Sequence, residues 1–467
     1  MSSSENKEPD AIQIPRFRRQ TIDGIQVPPT FNEYISYGDM PYAFVKKVNA
    51  KKFGFSSKGL YLHWHDFHHR FDNEFKDKKV WAWRALKFNR SLDEHDSLVS
   101  EDGSNFFWSP IALNHYPPMI EKAYRFEHVG LTGDQKRHML VKSLIMEEAI
   151  TSAQLEGAAT TRAVAKEMLS SGRAPIDDSE NMILSNWNLM QFALDNLERE
   201  LSIELIQEFN HIATEKTCEN EHIPGMLRDK KIEVAKNNAE GEITHTAPDA
   251  GVVEKLLHDL CKYANTNHEN VDYIHPVFKA IVIHFMIGYI HPFLDGNGRT
   301  ARALFYWYAI KHGYENFQYI SISALLKKKA NDYGRAYIKT ETDELDLTYF
   351  LQFNLEIIID ALGDFSTYIQ KRIDENRLMV EKLSESPLYE HFQRQHIDII
   401  SKALKNPGRE FSVKEVEQDN NVSATAARGY LDKLYKLGLL LKYKSVGNKY
   451  TYFAPAKLQE QLFAKEK

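Results

Sequence analysis

A strongly apolar segment, Val277 to Ile290, ends at the stretch His291-Pro-Phe-Leu-Asp-Gly-Asn-Gly-Arg-Thr-Ala-Arg302, after which Ala303-Leu-Phe-Tyr-Trp-Tyr-Ala-Ile returns to helical composition. This succession constrains the chain more than any other part of it. The apolar run is too short to span a bilayer and carries Lys279 and His284, so it predicts a helix buried inside a protein core. Helix, tight loop, helix is the plain reading. The Gly296-Asn297-Gly298 turn exposes backbone N–H groups at a helix N-terminus, where they and the helix dipole suit phosphate oxygens. Arg299 and Arg302, at i and i+3, are expected on one face of the first turns, ready for anionic oxygens.

The remaining composition bounds the class. A chain of 467 residues has room for two or three domains with a sizeable core. The net charge of -6 argues against a generally basic coat for nucleic acid but leaves local patches open. The two cysteines, Cys218 and Cys261, have no metal-type spacing, so a reducing, cytoplasmic compartment is expected. The Ser/Glu/Lys-rich start predicts a disordered tail over residues 1–12, with no signal peptide and no membrane partner.

Taken in order, residues 13–125 are rich in aromatics and read as a helical region packing on the core. Within them His65 and His69 have the i, i+4 spacing of a metal pair, but no third ligand is evident. A partly exposed helix with stacked His and Trp is the preferred reading. Residues 126–370 alternate helical patterns with one change of texture. Gly225 to Val234 and Glu240 to Pro248 flank an Asn-Asn pair and read as a short β-hairpin. Residues 371–386 are charged and read as a helical linker. Residues 387–467 give helix, short helix, turn, helix and hairpin, with Ser423 as an N-cap, the order of a winged helix-turn-helix module. Residues 391–455 hold eleven basic and six acidic side chains. That balance fits DNA contact through residues 387–467 as well as it fits dimerisation or protein docking. The fold class expected is mainly α: a helical bundle with a β-hairpin flap, and a C-terminal winged helix.

Read for chemistry alone, the central loop describes in-line attack of a hydroxyl on a nucleotide phosphate. His291 can take a proton near neutral pH. Asp295 offers a hard oxygen suited to Mg²⁺, which binds through one or two carboxylates plus phosphates. Gly296, Asn297 and Gly298 allow close backbone approach, and Arg299 and Arg302 can hold phosphates during transfer.

Those twelve positions match in full the Fic-family signature H-x-F-x-[D/E]-G-N-G-R-x-x-R, and the resemblance extends across roughly residues 130–365. It implies a protein adenylyltransferase that moves AMP from ATP to a Ser, Thr or Tyr hydroxyl of a protein and releases pyrophosphate. Under that resemblance His291 is the general base and Asp295 the Mg²⁺ ligand. Gly296, Asn297 and Gly298 form the anion hole, and Arg299 and Arg302 meet the ATP phosphates. The hairpin with Ile243, Thr244, His245 and Thr246 resembles the family's flap, which pairs with the target segment and lines the nucleotide site. Tyr333 falls where relatives set a tyrosine against adenine, a core role being the alternative. Ser152-Ala-Gln-Leu-Glu156-Gly157 resembles the family's inhibitory pattern [S/T]-x-x-x-E-[G/N]. It implies an N-terminal inhibitory helix whose Glu156 pairs with Arg302 and withdraws it from the γ-phosphate. Ala158 stands where several relatives carry Asn. The resemblance also admits self-modification, a homodimer, and removal of AMP at the same site with Glu156 orienting water. A reading from another class, a DNA-binding regulator with a nucleotide-sensing Fic domain, stays beside it.

Overall fold

The computed structural model describes residues 20–29, 46, 54–67, 79–124, 134–217, 222–235, 242–268, 270–420, 422–444 and 450–463. The expected tail 1–12, His69, Cys218 and the turn pair Asn237-Asn238 lie outside them. The described residues fall into two compact units. One draws on 1–121, 148–317 and 322–359, the other on 122–147, 318–321 and 360–467.

The first unit is built on the apolar run. The helix Pro276–Ile290 buries every residue from Val277 to Ile290 except Gly288, as a helix apolar on all sides must. Its two polar residues are accommodated differently. Lys279 Nζ donates to the carbonyls of Tyr263 (3.2 Å), Ala264 (3.4 Å) and Thr266 (2.6 Å), closing the C-terminal end of the helix Val253–Asn265. Burial draws its pKa down to about 8. His284 is fully buried beside the rings of Phe305, Phe350 and Tyr333, and burial lowers its pKa to about 3, so it is neutral. The helix Asn297–Lys311 packs against Pro276–Ile290, with Asp178–Asp195 and Ile203–Thr214 around it. Asp177 and Ser202 cap the latter two, their side chains accepting from Glu180 N and Leu205 N.

The N-terminal region is less helical than its composition predicts. Helices Trp64–Phe67 and Lys79–Ser91 are followed by an antiparallel hairpin, His95–Val99 with Asn105–Trp108. Phe106, Phe107 and Trp108 are all buried, so the alternation that marks a half-exposed strand is absent from the sequence. Phe106 stands edge-on to Phe285 and Tyr289, and Trp108 to Phe278. The region thus packs on the helix that ends at His291. His65 Nδ1 accepts from the Gln26 N–H at 3.2 Å. Among the described residues no group of three His, Cys, Asp or Glu side chains could hold a metal ion, and no helix is long and apolar enough to cross a membrane.

In the second unit the charged stretch continues the helix Thr348–Ser384, and Leu383 enters a core with Ile399, Phe411, Leu431, Leu434 and Tyr452. That core joins helices Arg394–Lys405, Val413–Asn420 and Ala424–Lys436 to a three-stranded sheet. The sheet runs in the order Glu410–Phe411, Tyr450–Phe453, Leu441–Lys444. Ser423 Oγ accepts from Ala426 N at 3.3 Å and starts the last of the three helices.

Candidate active site

His291 ends the long helix in the left-handed conformation, φ 50°. Its Nδ1 lies 3.2 Å from the Gly288 carbonyl. A carbonyl only accepts, so Nδ1 carries the proton and the Nε2 lone pair is left for an incoming one. Burial lowers the pKa to about 4, helped by His245 and Arg228 and opposed by the Gly288 carbonyl and Glu156. At neutral pH the ring is an uncharged base.

The loop after it is braced by amide side chains. Asn297 Nδ2 donates to Phe293 O at 2.8 Å while its Oδ1 accepts from Phe293 N at 3.0 Å. Asn210, fully buried, donates to the Asp295 carbonyl at 2.8 Å and accepts from Gly225 N at 3.1 Å. Gly296 has φ 80°, and a Cβ there would overlap Thr214 Cγ2. The Asn297 side chain is therefore committed to holding the loop shut. The anion-binding capacity lies in the backbone N–H groups of Asn297, Gly298 and Arg299, which open the helix Asn297–Lys311 and lack intrahelical partners.

The two arginines do not share a destination. Arg299 Nη2 forks onto both oxygens of Asp295 at 3.0 and 2.9 Å, and Nη1 donates to Ala213 O at 2.6 Å and Thr217 Oγ1 at 3.1 Å. It is only 2% exposed. It makes an i, i+4 ion pair with the loop's own carboxylate. Asp295 remains part-exposed, and one carboxylate beside phosphate oxygens is a normal Mg²⁺ donor set. The residues present therefore fit the ion. Arg302 turns the other way. Its Nε donates to Ser152 Oγ at 2.9 Å, and Nη2 donates to Ser152 O at 3.2 Å and Glu156 Oε1 at 2.9 Å.

The segment that supplies these partners is shaped by its helix end. The helix Asp134–Leu155 stops one residue before Glu156. Ala158 N donates to Ala153 O at 3.1 Å and Gly157 N to Gln154 O at 3.3 Å, while Gly157 takes φ 101°. This is a Schellman cap, with Ala158 and Ala153 meeting in one apolar cluster with Ile150, Ala165, Met168 and Ile183. Glu156 is the cap residue, turned off the helix toward Arg302. A Cβ on Gly298 would overlap Glu156 Oε1 and come within 3.0 Å of Arg302 Nη1.

The hairpin pairs Glu233–Ala235 with Ile243–Thr246, setting Val234 opposite His245. Ile243 and Thr246 are exposed, and Thr244 Oγ1 donates to Val234 O at 3.2 Å. Both ring nitrogens of His245 are engaged. Nδ1 meets Glu341 Oε2 at 2.8 Å and Nε2 meets the Tyr289 carbonyl at 2.8 Å. Burial opposes charge on its ring, yet Glu341 and the carbonyl raise its pKa, so it holds the hairpin to the helix end. Tyr333 meets His284 Nε2 at 2.8 Å through its hydroxyl and packs against Tyr337, Phe350 and Phe353.

Sequence reasoning missed three residues that hold the site. Asn210 is one. Arg228, 4% exposed, binds the backbone at the helix end. Glu148, 2% exposed, accepts from Tyr306 Oη at 3.0 Å and from Ser323 N at 3.1 Å. Each lies far from the signature in sequence, and no local pattern marks it.

Residues 200–309 match the family model described as the Fic/DOC family. The chain carries a Fic domain. The matched segment takes in Asn210, Arg228, the hairpin and the His291–Arg302 loop, while Ser152–Gly157 and Tyr333 fall outside it. The protein adenylyltransferase Fic of Drosophila yakuba is 36% identical over 148 residues, which is 30% of this chain and 28% of that protein. The protein of the same name from Drosophila melanogaster is 36% identical over 70 residues, 15% of this chain and 14% of that one. The chain thus spans less than a third of the length of these curated relatives. Among solved structures, a Fic family protein from Desulfovibrio desulfuricans G20 aligns with TM-score 0.48 and 17% identity, covering 74% of this chain and 96% of that one. Fic-1 of C. elegans (residues 134–508) aligns with TM-score 0.46 and 16% identity, covering 66% and 82%.

Proposed function

We propose that this chain is a protein adenylyltransferase whose Fic domain transfers AMP from ATP to a protein hydroxyl, and that Glu156 holds the transfer off. The observation that carries the reading is a neutral, singly protonated His291 at the mouth of a helix N-terminus whose Arg302 is engaged by Ser152 and Glu156. The target hydroxyl oxygen attacks the α-phosphorus, and His291 Nε2 accepts its proton. The bond from that phosphorus to the pyrophosphate oxygen breaks, and pyrophosphate leaves. The N–H groups at the start of Asn297–Lys311 receive phosphate oxygens, and Arg302, once released, steadies the outer phosphates. Asp295 is the residue for Mg²⁺, which when bound offsets phosphate charge. The hairpin edge near Ile243 receives the target strand. Incubation with α-labelled ATP and Mg²⁺ tests the scheme. Glu156→Gly protein should label itself or added protein well above the parent, and adding His291→Ala should abolish the label. Glu156→Gly protein that labels no better than the parent ends the inhibitory assignment.

The second unit is read as a winged helix-turn-helix that contacts DNA. Its support is the order of three helices and a hairpin, the Ser423-capped helix with exposed Thr425 and Arg428, and the basic excess of residues 391–455. The full chain should retard duplex DNA at low salt, more weakly as salt rises, and Arg428→Ala should weaken the shift. No retardation at low salt removes DNA as a partner.

A further inference from the structure

Arg228 is a buried arginine whose hydrogen-bond partners are all carbonyl oxygens. Nε donates to His291 O at 2.8 Å, and Nη2 to Ile290 O at 3.2 Å and Pro248 O at 2.6 Å. Nη1 donates to Lys230 O at 2.6 Å, and the backbone N–H of the same residue donates to Pro292 O at 2.9 Å. Burial lowers its pKa, with Asp249 and Glu101 opposing at longer range. The cation is stabilised by where it sits, against the last carbonyls of Pro276–Ile290, at the negative end of that helix.

We infer that Arg228 is a positioning residue for the transfer, fixing the catalytic histidine and both ends of the flap hairpin in one frame. Three segments converge on one guanidinium. Ile290 and His291 carry the base. Lys230 leads into the strand Glu233–Ala235, and Pro248 follows the strand Ile243–Thr246. A planar fork with five N–H groups can serve carbonyls on three sides at once, whereas a lysine ammonium, with one nitrogen, cannot reach them together. His291 holds a left-handed backbone, φ 50°, against ordinary steric preference, and its own carbonyl is one of the atoms held. The strand on which the target hydroxyl would arrive and the nitrogen that would take its proton thus keep a common reference. The inference rests on the adenylyltransferase reading for its consequence, but the coupling itself does not.

Two variants, Arg228→Lys and Arg228→Gln, are made in the Glu156→Gly chain. Single-turnover transfer should slow by about a hundredfold, the usual cost of misplacing reacting groups by an ångström. The dissociation constant for ATP, measured calorimetrically, should stay within about threefold, because the Gly-Asn-Gly loop and Arg302 are untouched. Hydrogen exchange followed by mass spectrometry supplies an arm without catalysis. Peptides covering 289–293 and 230–248 should both exchange faster in the variants, while the Asp178–Asp195 helix stays protected. If Glu156→Gly protein transfers nothing, the adenylyltransferase reading fails and the exchange arm alone decides the coupling. Unchanged rates in a folded variant, equal losses in ATP binding and turnover, faster exchange in only one peptide, or failure of both variants to fold would each overturn the assignment.

Discussion

Glu156 accepts a hydrogen bond from Arg302 Nη2 at 2.9 Å, and its carboxylate fills the space over Gly298 that a side chain there would occupy. A carboxylate is favoured against the first turn of a helix such as Asn297–Lys311, where a phosphate would be favoured for the same reason, and under the proposed function the inhibitory contact is an anion substituting for an anion. Arg302 is 2% exposed, and besides Glu156 it is held by the hydroxyl and the carbonyl of Ser152.

Charge and bulk in this contact can be separated. Glu156→Gln keeps a side chain over Gly298 but removes the ion pair. A charge-assisted hydrogen bond contributes about 1.5–3 kcal/mol, so removing it should raise basal transfer roughly ten- to a hundredfold. Glu156→Gly should exceed Gln, because it also clears the space. Initial rates of AMP incorporation measure the order. Equal rates for Gln and Gly would show that bulk plays no part.

The same contact depends on a backbone residue that touches nothing chemical. Gly157 takes φ 101° in the cap that turns Glu156 toward Arg302. Gly157→Ala should cost about 1 kcal/mol in the left-handed region, whereas Gly157→Asn should cost less. The expected pair of effects is a lower melting temperature and a higher basal transfer rate, both larger for Ala. If Ala lowers the melting temperature without raising the rate, the cap is structural only.

Burial sets the pH range of the base. A charged imidazole is disfavoured inside the protein, so the His291 pKa moves down from 6.5 to about 4. The catalytically competent form is the neutral one, hence activity is retained above the lowered pKa and is lost as pH falls through it. Single-turnover transfer by Glu156→Gly protein should be nearly flat from pH 8 to about 5.5 and decline below about 5. An acid limb centred near 6.5 would mean that the ring is solvated in the working state.

How much of this was legible in the chain depends on the range of each interaction. The buried helix, its histidine end and the glycine turn are local, and each was readable from contiguous residues. The hairpin Ile243–Thr246 was legible for the same reason. The Arg299 ion pair was not legible, because a shared i, i+3 face says where a side chain starts and not where its long arm ends. Its arm ends on Asp295, four residues earlier. The strand that carries His245 was legible, but the contact of its ring with Glu341, 96 residues later, was not. Asn210 and Arg228 bind backbone carbonyls, a kind of contact that leaves no paired residue to find in a sequence. The strand Asn105–Trp108 was hidden because both its faces are buried.

A second rung ties the helix Asp134–Leu155 to the helix Asn297–Lys311. Glu148 precedes Ser152 by one turn, and Tyr306 follows Arg302 by one turn. The Glu148–Tyr306 contact at 3.0 Å therefore lies beside the Ser152–Arg302 contact at 2.9 Å. Glu148 also accepts from Ser323 N at 3.1 Å and from the Ser323 hydroxyl. Glu148→Gln replaces the carboxylate that accepts from the Tyr306 hydroxyl, Ser323 N and the Ser323 hydroxyl by a neutral amide whose NH2 group only donates, so the Ser323 hydroxyl must turn to accept and the charge assistance of these contacts is lost. The loss should be about 1.5–3 kcal/mol of stability, read as a lower melting temperature. It should also loosen the helix that presents Ser152 and Glu156, so basal transfer should rise in the otherwise unaltered chain. No group proposed to touch ATP is altered, so in the Glu156→Gly background the same change should add nothing to the rate. A Glu148→Gln protein that is destabilised yet no more active would mean that the helix is held at Arg302 alone. A rate loss in the Glu156→Gly background would mean that Glu148 supports the transfer site itself.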